Sequence, residues 1–354
     1  MKVAIVHYQF KRGGGMESYL ADLVRGFRAA GDAVDVWARE VDADFARELG
    51  ASAFRLLPIP LPRAFRNRVF ASRIEKLELT DRYDLVIALS RTRGHHVAIN
   101  GGTHPGFAEA TNRPDSAHDR RETRLERSML GCAQAVVAHS GTLAAQIRRF
   151  YPDAAARVNV LYPPIDTTRF HPLDAAARSR ARQALGLARD DLAFVFPSMD
   201  HARKGLAPLL EAFRELDNPR ARLLVAGRSA RAALPPRVTV LGYVQDMPAL
   251  YAAADWTVLP SRYEPFGLVI AESLACGTPA IISREAGVAE LMAPDDGLLL
   301  DAITPDAILA ALRQACAAPR QPVADFAERH GLTLAAHIDG LKRCVSAVRR
   351  AVSG

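Results

Sequence analysis

The sequence predicts an α/β protein of two Rossmann-like, doubly wound parallel-sheet domains. Three observations predict it: short apolar runs alternate with helical patterns along most of the chain, the alternation breaks once at a Pro-rich crossing, and 354 residues exceed what one hydrophobic core usually serves. Apolar runs this short suit strands buried on both faces, as parallel sheets require.

The first set opens with Val3 to Val6, then Lys11-Arg12-Gly13-Gly14-Gly15, then a helical pattern through Tyr19, Leu20, Leu23, Val24 and Phe27 that closes at Gly31. This is strand, glycine loop, helix, and the glycines permit close backbone approach and unusual dihedral angles. Ala33 to Trp37, Leu85 to Leu89, His96 to Ile99 and Ala135 to Ala138 continue as strands, with a helix across Arg120 to Leu130. Tyr162-Pro163-Pro164-Ile165-Asp166 then interrupts the pattern, which places a linker there and a first domain over 1–163. The second set runs Ala193 to Phe196, Arg222 to Ala226, Val238 to Leu241, Trp256 to Leu259 and Pro279 to Ile282. Helices over Gly205 to Leu216, Met247 to Ala254 and Leu268 to Cys276 separate them, giving a domain over 164–335. Thr333 to Val352 reads as a long terminal helix, with 336–354 as the closing stretch. Ligands of open α/β sheets sit beyond the carboxyl ends of strands, so two such domains facing each other would make a cleft.

Apolar content of 49% and charged content of 24% are those of an ordinary globular chain. No segment approaches the ~18 apolar residues of a membrane span, and the run after Lys2 is too short for a signal peptide, so a cytoplasmic protein is expected. Cys132, Cys276, Cys316 and Cys344 show no paired metal-ligand spacing and read as reduced and mostly buried. Asp295-Asp296 before Gly297 reads as a turn, not a metal site. The net charge of +7 is uneven: residues 1–163 hold 24 Lys/Arg against 18 Asp/Glu, and residues 164–354 hold 22 against 21. Within the basic half, residues 54–76 interleave Arg55, Arg63, Arg66, Arg68, Arg73 and Lys76 with bulky apolar residues such as Ile59, Leu61, Phe65 and Phe70. That mixture suits a peripheral contact with an anionic membrane surface; the plain alternative is a solvated loop and helix. No nucleic-acid module is present in the sequence, and nucleic acid is not expected as a partner.

The chemistry concentrates in Ser261-Arg262-Tyr263-Glu264-Pro265-Phe266-Gly267-Leu268, with Glu272 following Glu264 after seven intervening residues. Glu264 falls in a strand-to-helix loop and Glu272 more than a turn into the helix, so the two carboxylates can hold separate hydroxyls of one ligand. Backbone N–H groups of Phe266, Gly267 and Leu268 at the helix start suit phosphate. The alternative is a pair of glutamates that cap and solvate a surface helix. Arg203-Lys204-Gly205 is expected to open a helix, where cations are misplaced unless they meet an anion. Arg228 in Ala226-Gly227-Arg228-Ser229, and Tyr243-Val244 after Gly242, follow strands and suit a nucleobase or phosphate. His104, in Gly101-Gly102-Thr103-His104, lies beyond a strand as well. The glycine loop with Ser18 nearly matches a dinucleotide fingerprint, with Asp35 or Glu40 as its acidic residue; an NAD-dependent oxidoreductase is the alternative from another class.

On the Glu264-to-Glu272 element, continued by Ala275-Cys276-Gly277-Thr278-Pro279, the chain resembles the retaining GT-B glycosyltransferases of family 4, over essentially its whole length. The resemblance implies a nucleotide-sugar donor, UDP-sugar favoured, and a metal-free, cofactor-free transfer of a hexose with retention. Glu264 would bind donor-sugar hydroxyls and Glu272 the ribose; Lys204 would grip the diphosphate, with Arg203 or Ser198 in place of a second cation usually found at position 198. Gly14 and Gly15 would lie under the phosphates, while Gly13, Glu17 and His104 would border the acceptor. Tyr243 and Val244 would pair with the base, and the last helix would cross back to the first domain. A weaker likeness, to bacterial lipopolysaccharide-core enzymes, implies a glycan or glycolipid acceptor. A soluble acceptor, or an epimerase on the same fold, are the alternatives.

Overall fold

The computed structural model describes residues 1–57, 62–114, 116–229, 234–317 and 320–353, except the side chains of 63, 64 and 345–353. The chain forms two compact units, Met1–Pro164 with Leu332–Gly354, and Ile165–Gly331.

The first unit is built on a seven-stranded sheet of β1 (Lys2–Phe10), β2 (Ala33–Val41), β3 (Ser52–Arg55), β4 (Leu85–Ala88), β5 (Val97–Asn100), β6 (Ala135–Ala138) and β7 (Val158–Val160). Its order is β3-β2-β1-β4-β5-β6-β7, and every pairing is parallel. The second unit carries a six-stranded parallel sheet of β8 (Leu192–Ser198), β9 (Ala221–Gly227), β10 (Val238–Gly242), β11 (Trp256–Leu259), β12 (Ala280–Ser283) and β13 (Gly297–Leu300). Its order is β10-β9-β8-β11-β12-β13. Both sheets reverse direction of winding beside their first strand, at β1/β4 and β8/β11, which are the points where such sheets open a crevice for ligands.

Helices cover both faces because the central strands are apolar on both. Val3 and Ile5 of β1 pack with Leu20, Leu23 and Phe27 of the helix Gly15–Ala29, while Ala4 and Val6 face Phe70, Ile74 and Val86. In the second unit Phe194, Phe196, Phe213, Val258 and Ile281 are fully buried. The terminal helix Leu334–Ser353 belongs to the first unit, where Ile338 and Leu341 join the core around Leu20 and Leu23. His337 donates from Nδ1 to the Tyr162 carbonyl (2.8 Å) and its Nε2 accepts from the Tyr19 hydroxyl (2.7 Å), fixing one neutral tautomer between chain segments far apart in sequence.

Several expectations need correction. Strands β3, β7 and β13 were not anticipated; all three are sheet edges, two of them short and polar enough to escape an apolar-run criterion. The helix expected over Arg120 to Leu130 runs Ala117–Cys132, started by a Ser116 and Asp119 capping box. Only Cys276 of the four free cysteines is buried; the other three are half-buried. The turn expected at Asp295-Asp296 is present, with Asp296 closing it and bound by Arg329 at 2.7 Å. In the basic segment, Phe70 and Ile74 belong to the core, Arg73 bonds the Leu56 carbonyl and Phe54 stacks on Trp37. Ile59 and Leu61 lie outside the described residues. Arg55, Phe65, Arg68 and Lys76 remain exposed. Among the described residues, no helix is long and apolar enough to cross a membrane.

Candidate active site

In the six-stranded unit, the segments that follow β8 and β11 are stitched together at the switch point. Gly205 has φ +80°, and a Cβ there would meet the Pro260 carbonyl oxygen at 2.2 Å, so only glycine lets the two segments touch. The Arg262 N–H donates to the Arg203 carbonyl at 2.9 Å across the same seam. This contact brings the cations to the glutamate: Arg203 Nη1 lies 3.3 Å and Lys204 Nζ 3.8 Å from Glu264 Oε2. Arg203 also donates to the Tyr263 carbonyl. The Glu264 backbone is pinned from the other side by the Gly287 N–H (2.9 Å), and Phe266 accepts from the Val288 N–H (2.7 Å).

The helical environment of the cations differs from the expectation. Arg203 and Lys204 end a one-turn helix, His201–Lys204, and Gly205 separates it from the helix Leu206–Glu215. Cations are favoured at a helix C-terminus, so misplacement cannot be the argument for an anion there. Burial supplies a better one. The Lys204 side chain is 11% exposed and its nearest carboxylate oxygen is beyond hydrogen-bonding distance. Burial lowers the Lys204 ammonium below the ordinary lysine range, Glu264 offsets part of this, Arg203 adds to it and Glu272 offsets a little more.

Glu272 is half-buried on the helix Leu268–Ala275, for which Gly267 is the N-cap. The phenol of buried Tyr251 is pushed well above its usual range, first by burial and then by the Glu272 charge, so this carboxylate faces Tyr251 as well as sensing Lys204.

The segment after β9 closes the other flank. Gly227, at φ +117°, would place a Cβ 2.3 Å from the Ser198 carbonyl oxygen, and the Arg228 N–H donates to that oxygen at 3.0 Å. His201, which sequence reasoning passed over, ties the two segments together. Its Nε2 faces the Arg228 carbonyl at 2.8 Å and must donate; its Nδ1, 3.0 Å from Ser198 Oγ, then accepts in the neutral tautomer. The Ser198 hydroxyl proton is therefore spent on His201, which leaves Arg203 as the second cation candidate beside Lys204. The signal for His201 was its position three residues beyond the strand, between Ser198 and Lys204. Arg228 and Tyr243 are exposed, Tyr243 to 79%, and Val244 is half-buried beyond β10.

In the seven-stranded unit the expected residues fall in two separate hollows. His104 is the first residue of the helix His104–Ala110, capped by Thr103, and lines a groove of about 920 Å³ together with Arg113, Asp119, Arg120 and Arg124. Its Nε2 is 2.8 Å from Asp119 Oδ1, and its N–H donates to Glu126 at 2.8 Å. Asp119 is held well below the usual carboxylate range, first by Ser116 and then by His104. Gly15 and Glu17 line the other hollow, of about 700 Å³. Glu17 is lowered chiefly by His7, whose Nε2 lies 3.9 Å away. None of Gly13, Gly14 or Gly15 has a positive φ, so unusual dihedrals are not their role; a Cβ at Gly13 would meet Glu17 Cγ at 3.0 Å.

Comparison with known proteins agrees with this layout. Residues 13–169 match the family model described as Glycosyltransferase Family 4, and residues 191–318 the model described as Glycosyl transferases group 1. A Burkholderia thailandensis protein described as a probable transglycosylase is 38% identical over 299 residues, covering 84% of this chain and 82% of that protein. Among solved structures, WaaG, a glycosyltransferase involved in lipopolysaccharide biosynthesis, superposes with a TM-score of 0.79 at 16% identity over 98% of this chain and 99% of that one. Anabaena HepE, solved with UDP and glucose, gives 0.69 at 18% identity over 100% and 98%. The oxidoreductase alternative falls with these matches: Asp35 is bound by the Tyr83 hydroxyl at 2.7 Å, and Glu40 is bound by Lys11 and Gln9. The chain belongs to the glycosyltransferases of GT-B fold.

Proposed function

We propose that the chain transfers a hexose from a nucleotide diphosphate donor to an acceptor hydroxyl with retention of anomeric configuration. One observation carries this: a buried ammonium and a guanidinium converge on Glu264 at the switch point of the six-stranded sheet, with Glu272 on the helix that follows. Two cations beyond a strand end suit the charge that grows on a departing diphosphate. Lys204 and Arg203 take that charge, Glu264 orients the sugar hydroxyls, and Glu272 takes the ribose. In the transfer, the bond from the anomeric carbon to the diphosphate oxygen breaks while the acceptor oxygen attacks from the same face. The acceptor's proton passes to the departing phosphate. Because side-chain cations serve the leaving group, activity should persist in chelator.

UDP is the favoured nucleotide, supported by the likeness to HepE, and an envelope glycan or lipopolysaccharide-core acceptor is supported by the likeness to WaaG. The exposed Arg55, Phe65, Arg68 and Lys76 are the part of 54–76 proposed to touch an anionic membrane surface from the cytoplasmic side. The test is a transfer assay with UDP-, GDP- and ADP-sugars, in chelator, reading product anomer by NMR. Retention with a UDP-sugar is expected. Epimerised free donor without transfer would install the epimerase alternative, and an inverted product would remove the front-face mechanism.

A further inference from the structure

The 700 Å³ hollow of the seven-stranded unit has a charge pattern that the transfer chemistry does not use. It lies at the carboxyl ends of β1 and β2, and Gln9, Glu17, Arg39, Glu40, Arg66 and Asn67 are in its lining. Three cations gather on one carboxylate: Lys11 Nζ is 3.3 Å, Arg39 Nη2 3.2 Å and Arg66 Nη1 3.9 Å from Glu40. Gln9 donates to the same group at 2.7 Å. The two carboxylates of the lining, Glu40 and Glu17, leave the cluster of Lys11, Arg39 and Arg66 with a net positive charge.

The donors are also incompletely used. Arg39 reaches Asn67 Oδ1 and lies over the Tyr8 ring, yet the buried Nε–H groups of Arg39 and Arg66 meet no acceptor among the described residues. His7 Nδ1 also has no hydrogen-bond partner among the described residues. Buried guanidinium N–H groups left without acceptors are costly, and an oxyanion with several acceptor oxygens is the chemistry that satisfies them. Net positive charge and two guanidinium forks suit the three terminal oxygens of a phosphate monoester better than the two of a carboxylate.

We propose that this hollow binds a phosphate monoester carried by the acceptor, with Arg39 and Arg66 on the phosphate oxygens and Gln9, Asn67 and Glu17 on hydroxyls of the attached sugar or polyol. That the ligand is the acceptor rests on the transfer reading above; that it is a phosphate monoester does not.

Calorimetry on the full chain, with glucose 6-phosphate against glucose and with phosphatidate-containing vesicles against pure phosphatidylcholine, separates a free sugar phosphate from a lipid headgroup. Binding of at least one probe that bears a phosphate monoester, well above its counterpart without one, is expected. Arg66→Gln and Arg39→Gln should each weaken it at least tenfold, while UDP affinity stays at the parent value. Arg39→Lys, which keeps the charge and loses the fork, should fall between parent and Arg39→Gln, and matched melting curves exclude misfolding. The proposal is overturned if neither probe that bears a phosphate monoester exceeds its counterpart, or if Arg66→Gln leaves the affinity unchanged. A chain that binds the phosphate probe through Arg66 but transfers no sugar would sink the transfer reading and leave this site standing.

Discussion

The six-stranded unit sets two cations against one carboxylate twice, at opposite ends of the same strand. Before β11, Asp255 takes Arg178 at 2.7 Å, Arg182 at 3.2 Å and the Ala193 N–H at 2.8 Å. Beyond β11, Glu264 takes Arg203 at 3.3 Å and Lys204 at 3.8 Å, and Arg203 Nε also pairs with the more exposed Asp200 at 3.4 Å. The residue types are alike, but their saturation differs. Around Asp255 the guanidiniums also donate to backbone carbonyls, Arg178 to Ala252 and Ala254, Arg182 to Ala253, Ala188 and Asp191. Around Glu264, among the described residues, one carbonyl is so engaged, that of Tyr263, and the Lys204 ammonium sits at ion-pair distance without a hydrogen bond to Glu264. A saturated cluster ties the amino ends of strands into a frame. An unsaturated one, at the ligand end of the sheet, keeps charge available for something that arrives.

The largest expected effect tests the frame. Asp255→Ala strands the half-buried Arg178 and the buried Arg182 guanidiniums and should cost about 3–5 kcal/mol of stability, read as a lower denaturation midpoint. UDP affinity of the folded fraction should be unchanged. A variant as stable as the parent would erase the distinction between the clusters.

Next in size is Lys204→Ala. It should slow turnover about 10²–10³-fold, the cost of losing one donor to developing oxyanion charge. Its melting temperature should hold or rise, since a buried and poorly bonded ammonium leaves. Steady-state kinetics beside a thermal melt checks both, and a well-folded variant with near-parent turnover would remove Lys204 from the leaving-group role.

Much of this contrast was legible in the sequence, and the rest was hidden for identifiable reasons. Central strands announce themselves because burial on both faces demands continuous apolar runs, as in Trp256 to Leu259. Edge strands such as Val158–Val160 carry no such demand. Glu264 and Glu272 stood out because their spacing is local. The partnership of Glu264 with Lys204 did not, because it depends on Gly205 and Pro260 meeting across 55 residues of sequence. His201 was missed for the same reason: its meaning lies in the Ser198 hydroxyl and the Arg228 carbonyl, which only the paired ends of β8 and β9 bring together. The scattered basic residues looked like one surface. In the fold, Arg66 turns toward Glu40 and Arg73 to the Leu56 carbonyl, while Arg68 stays exposed.

A smaller effect separates the two glutamates. Glu272→Gln should weaken UDP by about 1.5–3 kcal/mol, as the ribose loses a charged acceptor. Glu264→Gln should lower transfer while UDP binding stays near the parent value, because the transferred sugar is absent from UDP. Calorimetry with UDP beside the transfer assay reads the split; parent-like behaviour of both variants would reduce the element to a capped helix.

The smallest effect is a pH dependence with opposite signs in stability and activity. Lys204 titrates below the ordinary 10.5 in the folded chain, chiefly through burial. As pH rises through that folded value, the native state gives up its proton while the unfolded chain still holds one. Stability then rises with pH, by at most about 1.4 kcal/mol per unit for one proton, and the gain is complete above the unfolded value. Activity moves the other way, since the neutral amine no longer answers the leaving diphosphate, so kcat/KM should fall on an alkaline limb that begins below the usual lysine range. Bound donor brings phosphate charge to Lys204 and should move the limb in kcat to higher pH. Lys204→Arg, which stays charged throughout, should abolish both the limb and the stability slope. If the limb survives that substitution, another group is titrating, and Lys204 is no different in kind from the saturated cations beside Asp255.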